Sequence, residues 1–134
     1  MKIKFKSISI QNGQENTVEF VAECEKEQSK FKDVFDTEAI EYNVYRFKDP
    51  QNHQPVRIEI NPTHVNILNV NACLELRHKK MHSGSYINVE KNKFQIKTFT
   101  DTIKIIDNYC VIEYELFNFE GHSLGAFKIK IEQL

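Results

Sequence analysis

Four glycines and three prolines in 134 residues are few, against the ~7% and ~5% usual in proteins. Chain reversals therefore fall to Asn, Asp and Ser, whose side chains bond their own backbone in turns. Three cysteines, Cys24, Cys73 and Cys110, are odd in number, far apart and each inside a strand-like segment. That is poor material for a disulfide framework or a CxxC metal knuckle, and the thiols read as reduced, half-buried packing residues. No apolar run approaches the roughly 20 residues of a spanning helix, and the start MKIKFKSISI alternates charge with apolar residues where a secretion signal would be continuously apolar. A cytoplasmic location without membrane contact is expected. No GxSxG elbow, P-loop, HExxH or dinucleotide fingerprint occurs, so nothing in the sequence supports an enzyme, and no cofactor is implied.

A chain of this length buries about two-thirds of its unfolded surface and commonly makes one domain, and one domain over residues 1–134 is expected. Hydrophobic residues at 40% and charged residues at 28% are those of an ordinary globular protein. The dominant period is two. KIKFK alternates Lys2, Lys4 and Lys6 with Ile3 and Phe5, and the apolar phase then slips to Ile8 and Ile10, as a β-bulge would make it. After QNGQEN comes TVEFVAEC, with Val18, Phe20, Ala22 and Cys24 on one face, completing a first hairpin. EKEQSKFKDVF is irregular; Phe31, Val34 and Phe35 have helical spacing, and the stretch reads as a short helix or a long loop. EAIEYNVYRF puts Ile40, Tyr42, Val44 and Arg46 on one face and Tyr45 and Phe47 on the other. VRIEI, HVNILNV, CLELRH, KFQIKTF, TIKII, CVIEYELF and GAFKIKI follow. About ten strands, short polar turns and at most one short helix predict an all-β antiparallel barrel of eight to ten strands.

In several strands the face opposite the apolar one is charged: Arg57 and Glu59, Glu75 and Arg77, Lys128 and Lys130. These read as the solvated outside of a closed barrel. RHKKMH, from Arg77 to His82, raises three readings. As a metal site it is poor, since His78 and His82 stand roughly 13 Å apart on a strand and lack acidic or cysteine partners nearby; no metal is expected. As a nucleic-acid grip it lacks interleaved aromatics in a chain of pI about 6.5, although Arg77, Lys79, Lys80 and Lys97 could share a basic outer face. As the basic end of a strand and the turn leaving it, it needs no function.

The interior is the better candidate. Tyr42, Arg46, Phe94, Ile112 and Tyr114 fall on faces that also carry aliphatics, and a small barrel either fills its interior or holds one small ligand. An inward Arg46 would sit at the barrel mouth or be satisfied by an anion; the alternative is a solvated strand end. The expectation is noncatalytic binding of a small amphipathic or anionic ligand, with Tyr42, Arg46, Arg57, His78 and Tyr114 as candidate contacts. The alternative is an interaction module for a protein or RNA partner on the basic outer face.

The order LELRHKK, SGSYI, KFQIKTFTDTIKI, CVIEYELF and EGHSLGAFKIKIE resembles the C-terminal half of the YwiB-like family, bacterial barrels of the calycin kind. The shared features fall on Arg77, Tyr86, Thr98, Ile103, Tyr114, Leu116 and Gly125, over residues 56 to 133. The N-terminal half departs from the pattern, with EKEQSKFKD where a glycine usually follows the second strand. The resemblance implies a lipocalin-like barrel in a cytoplasmic bacterial protein and carries over no activity, cofactor or catalytic residue.

Overall fold

A computed structural model describes residues 1–32 and 37–134. Ten strands follow one another: β1 (Lys2–Gln11), β2 (Gln14–Phe31), β3 (Ile40–Lys48), β4 (Pro55–Ile60), β5 (His64–Leu68), β6 (Ala72–Arg77), β7 (Met81–Val89), β8 (Asn92–Ile106), β9 (Tyr109–Phe117) and β10 (Ser123–Gln133). Each pairs antiparallel with its neighbours in the chain, and β10 closes on β1 to complete a barrel. Short connections favour this meander, because an antiparallel neighbour can be reached by a tight turn. Asn and Asp side chains build those turns as composition predicts. Asp49, Asn52, Asn61, Asn69 and Asn118 each accept a backbone N–H two residues on.

The inner face is an apolar cluster to which every strand but β7 contributes a buried residue. It runs from Ile3 and Cys24 through Tyr45, Ile58, Val65 and Leu76 to Ile96, Ile112 and Ile131. Burying one such aliphatic side chain contributes about 1.5–3 kcal/mol, and together they make one cluster inside the barrel. Phe5, Phe20 and Phe47 pack ring to ring where β1, β2 and β3 meet.

Several expectations change. Residues 24–31 are strand, not helix or loop: Cys24 to Phe31 pair in register with Phe47 to Ile40. The partner strand supplies what local sequence lacks, and Phe31 stacks on Tyr42 with centroids 4.4 Å apart. Val34 and Phe35 lie outside the described residues. The bulge expected in β1 is absent, since its register with both neighbours is unbroken from Ile3 to Ile10. Ser7 and Ser9 hold the inward positions and Ile8 and Ile10 face out, because both edges of β1 are paired and no residue can slip. KFQIKTF and TIKII are one strand, β8, with a bulge between Thr100 and Thr102. The strand that alternation does not reveal is β7, whose HSGS segment has no apolar period. Gly125 is inside β10, where a Cβ would come within 2.7 Å of Gln11 Cγ.

The largest change is in β3. Tyr45 pairs with Ile58 and Phe47 with Val56 on the inner face. Tyr42, Val44 and Arg46 therefore point outward, against the inward phase expected of them. Both faces of β3 are buried, with Tyr42 at 1% and Val44 at 0% exposure, so apolar character alone could not identify the inside. Phe94 is half exposed, on the start of β8 that projects past β9, whose pairing with β8 begins only at Lys97.

Candidate functional site

The five candidate ligand contacts do not converge in the interior. Tyr114 is inside, stacked on Phe127 at 5.2 Å, and burial pushes its hydroxyl pKa up. Tyr42 is outside and buried, its ring edge-on to His64. His78 follows the end of β6, where its backbone N–H donates to the Thr63 carbonyl. Arg46 and Arg57 do come together, on the outer face, as directly opposed residues of β3 and β4.

That opposition is unusual. Cβ atoms of such pairs lie about 4.5–5.5 Å apart, and like charges there repel. Each arginine is held by carboxylates: Arg46 by Glu27 at 2.9 Å and Glu25 at 3.5 Å, Arg57 by Glu59 at 2.6 Å through Nε. Both arginine side chains remain more than one-third exposed. They line a surface depression of about 470 Å³ whose other walls are Phe47, Pro55, Val56, Leu68, Asn69 and Val70. No carboxylate lines it.

RHKKMH divides between two environments. Arg77 has the outward phase expected but is only 4% exposed, so the solvated reading is corrected for it, as it is for Glu59. Its Nη1 donates to Asn66 Oδ1 at 2.9 Å and to the Leu76 carbonyl. Asn66 Nδ2 in turn donates to Glu59 Oε1 at 3.0 Å. With the Arg57 contact, this makes a hydrogen-bonded chain across β4, β5 and β6. Glu75 continues it toward β7, with Oε2 at 4.0 Å from Arg77 and 3.7 Å from His82 Nε2. A depression of about 370 Å³ borders this end, lined by Thr37, Glu38, Ile40, His64, Arg77, Lys80 and His82. Where β7 diverges from β6, hydroxyls replace the backbone ladder: Ser85 Oγ accepts from the Glu75 N–H, and Thr98 Oγ1 donates to the Glu75 carbonyl.

The basic outer face is not a continuous stripe. Arg77 is buried, Lys79 pairs with Asp101 at 2.7 Å, and Lys97 lies over the Phe119 ring. Of the four, Lys80 and the buried Arg77 border the depression beside His64 and His82. Among the described residues, no three His, Cys, Asp or Glu side chains are grouped to hold a metal ion. The three cysteines are free thiols, and burial pushes the pKa of each up, which disfavours the nucleophilic thiolate. No helix among the described residues is long and apolar enough to cross a membrane.

Glu59, Asn66, Glu75 and His82 were not among the sequence candidates. Alternation alone places the first three outward, and their one signal is positional: Glu59 faces Asn66, and Asn66 faces Glu75, in the register of adjacent strands.

No family model matches the chain. A Mycoplasmopsis pulmonis protein described as "Uncharacterized protein" is 27% identical over 133 residues, covering 98% of each chain. The crystal structure of the ywiB protein from Bacillus subtilis superposes with a TM-score of 0.60 at 14% identity, over 99% of this chain and 90% of that one. The chain thus has the fold of YwiB, as the sequence resemblance implied.

Proposed function

We propose that this YwiB-like barrel is a noncatalytic binding protein for a small amphipathic anion, held at the rim beside Arg46 and Arg57. One observation carries the reading: two guanidinium groups opposed across β3 and β4 wall an otherwise mainly apolar depression with no carboxylate in its lining. Arg57 bonds Glu59 through Nε, and its η nitrogens would donate to a ligand carboxylate or phosphate. Phe47, Val56, Leu68 and Val70 would cover an alkyl or aromatic tail. This reading retains a small amphipathic ligand but seats it at the rim, where Arg46 and Arg57 lie, and not among the core residues inside. Free thiols are in keeping with a reducing cytoplasm.

Decanoate tests this against decanol, which has the tail without the charge. At a hundredfold excess over Kd, decanoate is expected to stabilise the fold by about 2.7 kcal/mol, read as a rise in Tm that decanol does not give. Arg57→Gln and Arg46→Gln are each expected to weaken it. Equal responses to both compounds, or none, together with an empty mass for protein purified gently from its host, would refute the reading.

A further inference from the structure

β2 is longer than either of its partners, and each of them covers only half of it. Gln14 to Glu23 pair with β1, while pairing with β3 begins at Cys24. The second edge of residues 14–22 faces no strand among the described residues.

Strand geometry identifies the backbone groups on that edge. Cys24 N–H donates to the Met1 carbonyl, and the Met1 amino group donates to the Cys24 carbonyl. Even-numbered residues therefore direct their backbone groups toward β1, and odd-numbered residues direct theirs away. Glu15, Thr17, Glu19 and Val21 present N–H and C=O in a row on the uncovered side. Open edges of this kind recruit further strands, and proteins usually blunt them with lysine, proline or a bulge. Here there is no lysine, proline or break of register from Gln14 to Glu23, and the charges that would deter another strand, Glu15, Glu19 and Glu23, are all acidic, so they select against an acidic strand and not a basic one.

Side chains narrow the class of partner. The outward face of this half of β2 is acidic, and on its covered side β1 answers with Lys2 opposite Glu23 and Lys6 opposite Glu19. Lys4 and Lys6 both approach Glu19, at 3.7 and 3.9 Å. Beside the uncovered edge is a cleft of about 730 Å³ between β2 and the β3–β4 turn, with Ala22, Phe47, Pro50 and Pro55 in its wall. A strand added there would place alternate side chains over glutamates and the remainder toward an apolar cleft.

We infer that the uncovered edge of β2 docks an extended polypeptide segment of another protein in which basic and apolar residues alternate. The interaction is β-strand addition: main-chain hydrogen bonds supply attachment and the alternating side chains supply selectivity. The alternation required is that of β1, KIKFK, which already pairs with the other edge.

A labelled peptide KIKFKSISI and its charge-reversed form EIEFESISI test this with the full-length protein. The basic peptide is expected to bind saturably, at least tenfold more tightly than the acidic one. In NMR hydrogen exchange, the amides of Thr17, Glu19 and Val21 should become protected on binding. Val21→Pro removes an outward N–H that β1 does not use, and is expected to abolish binding while amide dispersion shows the fold intact. Should that variant not fold, Glu15→Lys with Glu23→Lys is expected to reverse the preference between the peptides. Equal binding of the two peptides, protection of other amides, or no saturation would overturn the inference. So would a concentration-dependent dimer of the free protein that protects the same amides, because the edge would then belong to a second copy.

Discussion

Strands β3 to β6 carry two buried surfaces back to back. The inner one is made of Tyr45, Phe47, Ile58, Ile60, Val65, Ile67, Leu74 and Leu76. The outer one combines Tyr42 and Val44 with Glu59, Asn66 and Arg77. On the inner side contacts are nondirectional, and one aliphatic can stand in for another at modest cost. On the outer side every buried polar group needs a particular partner, and removing one strands the others. Two surfaces of similar burial thus differ in how they respond to substitution.

Leu76 and Arg77 are adjacent and face opposite ways, which allows a direct test. Arg77→Ala should cost about 3–5 kcal/mol, because it leaves Asn66 Oδ1 without its donor and Glu75 without its nearby guanidinium; urea denaturation measures it. A double-mutant cycle with Asn66→Ala should show a coupling of about 0.5–3 kcal/mol, and strict additivity would mean the outer chain is not a unit. Leu76→Ala should cost about 2–5 kcal/mol through lost burial and a residual cavity. If it proved neutral, the inner surface would have to be loosely packed.

Thr100 is a polar residue on the inner side. It is fully buried, and its Oγ1 has no hydrogen-bond partner among the described residues. Thr100→Val keeps the shape and removes the unsatisfied hydroxyl, so a gain of about 1 kcal/mol in denaturant unfolding is expected. The corresponding change on the outer side, Asn66→Leu, should destabilise.

The smallest effect belongs to the exposed pair Lys79 and Asp101. The hydrogen bond from Lys79, followed by that from Thr102, holds the Asp101 pKa below its ordinary 3.8. A lowered carboxyl pKa gives stability that is present above 3.8 and lost as pH falls through the lowered value. Lys79→Ala should move the NMR titration of Asp101 upward with little change in Tm. An unmoved titration would remove Lys79 as the cause.

Much of the architecture is legible in the alternation of single strands. VRIEI and CLELRH alternate cleanly, and both have their apolar residues inside. The readings that failed did so where a strand departs from one buried and one solvated face. In β3 both faces are buried, so Arg46 was assigned to the inside with its apolar neighbours Tyr42 and Val44. In β7 neither composition nor alternation marks a strand, because Ser85 bonds Glu75 through its hydroxyl instead of extending an apolar face. In the second half of β2 the charged residues fit a strand only because β3 sets Arg46 opposite Glu25. For the candidate site, Arg46 and Arg57 were named from the sequence, but their pairing depends on cross-strand register.

An all-β chain of about ten strands, turns made by Asn and Asp, and an apolar interior all follow from local sequence, because period-two patterning and turn chemistry are local properties. Tertiary structure decided which face of β3 turned inward, that Arg46 would oppose Arg57, and that Glu59, Asn66 and Arg77 would join into one buried chain. Those outcomes depend on register between strands and on closure of the barrel, where a shift of one residue exchanges the two faces.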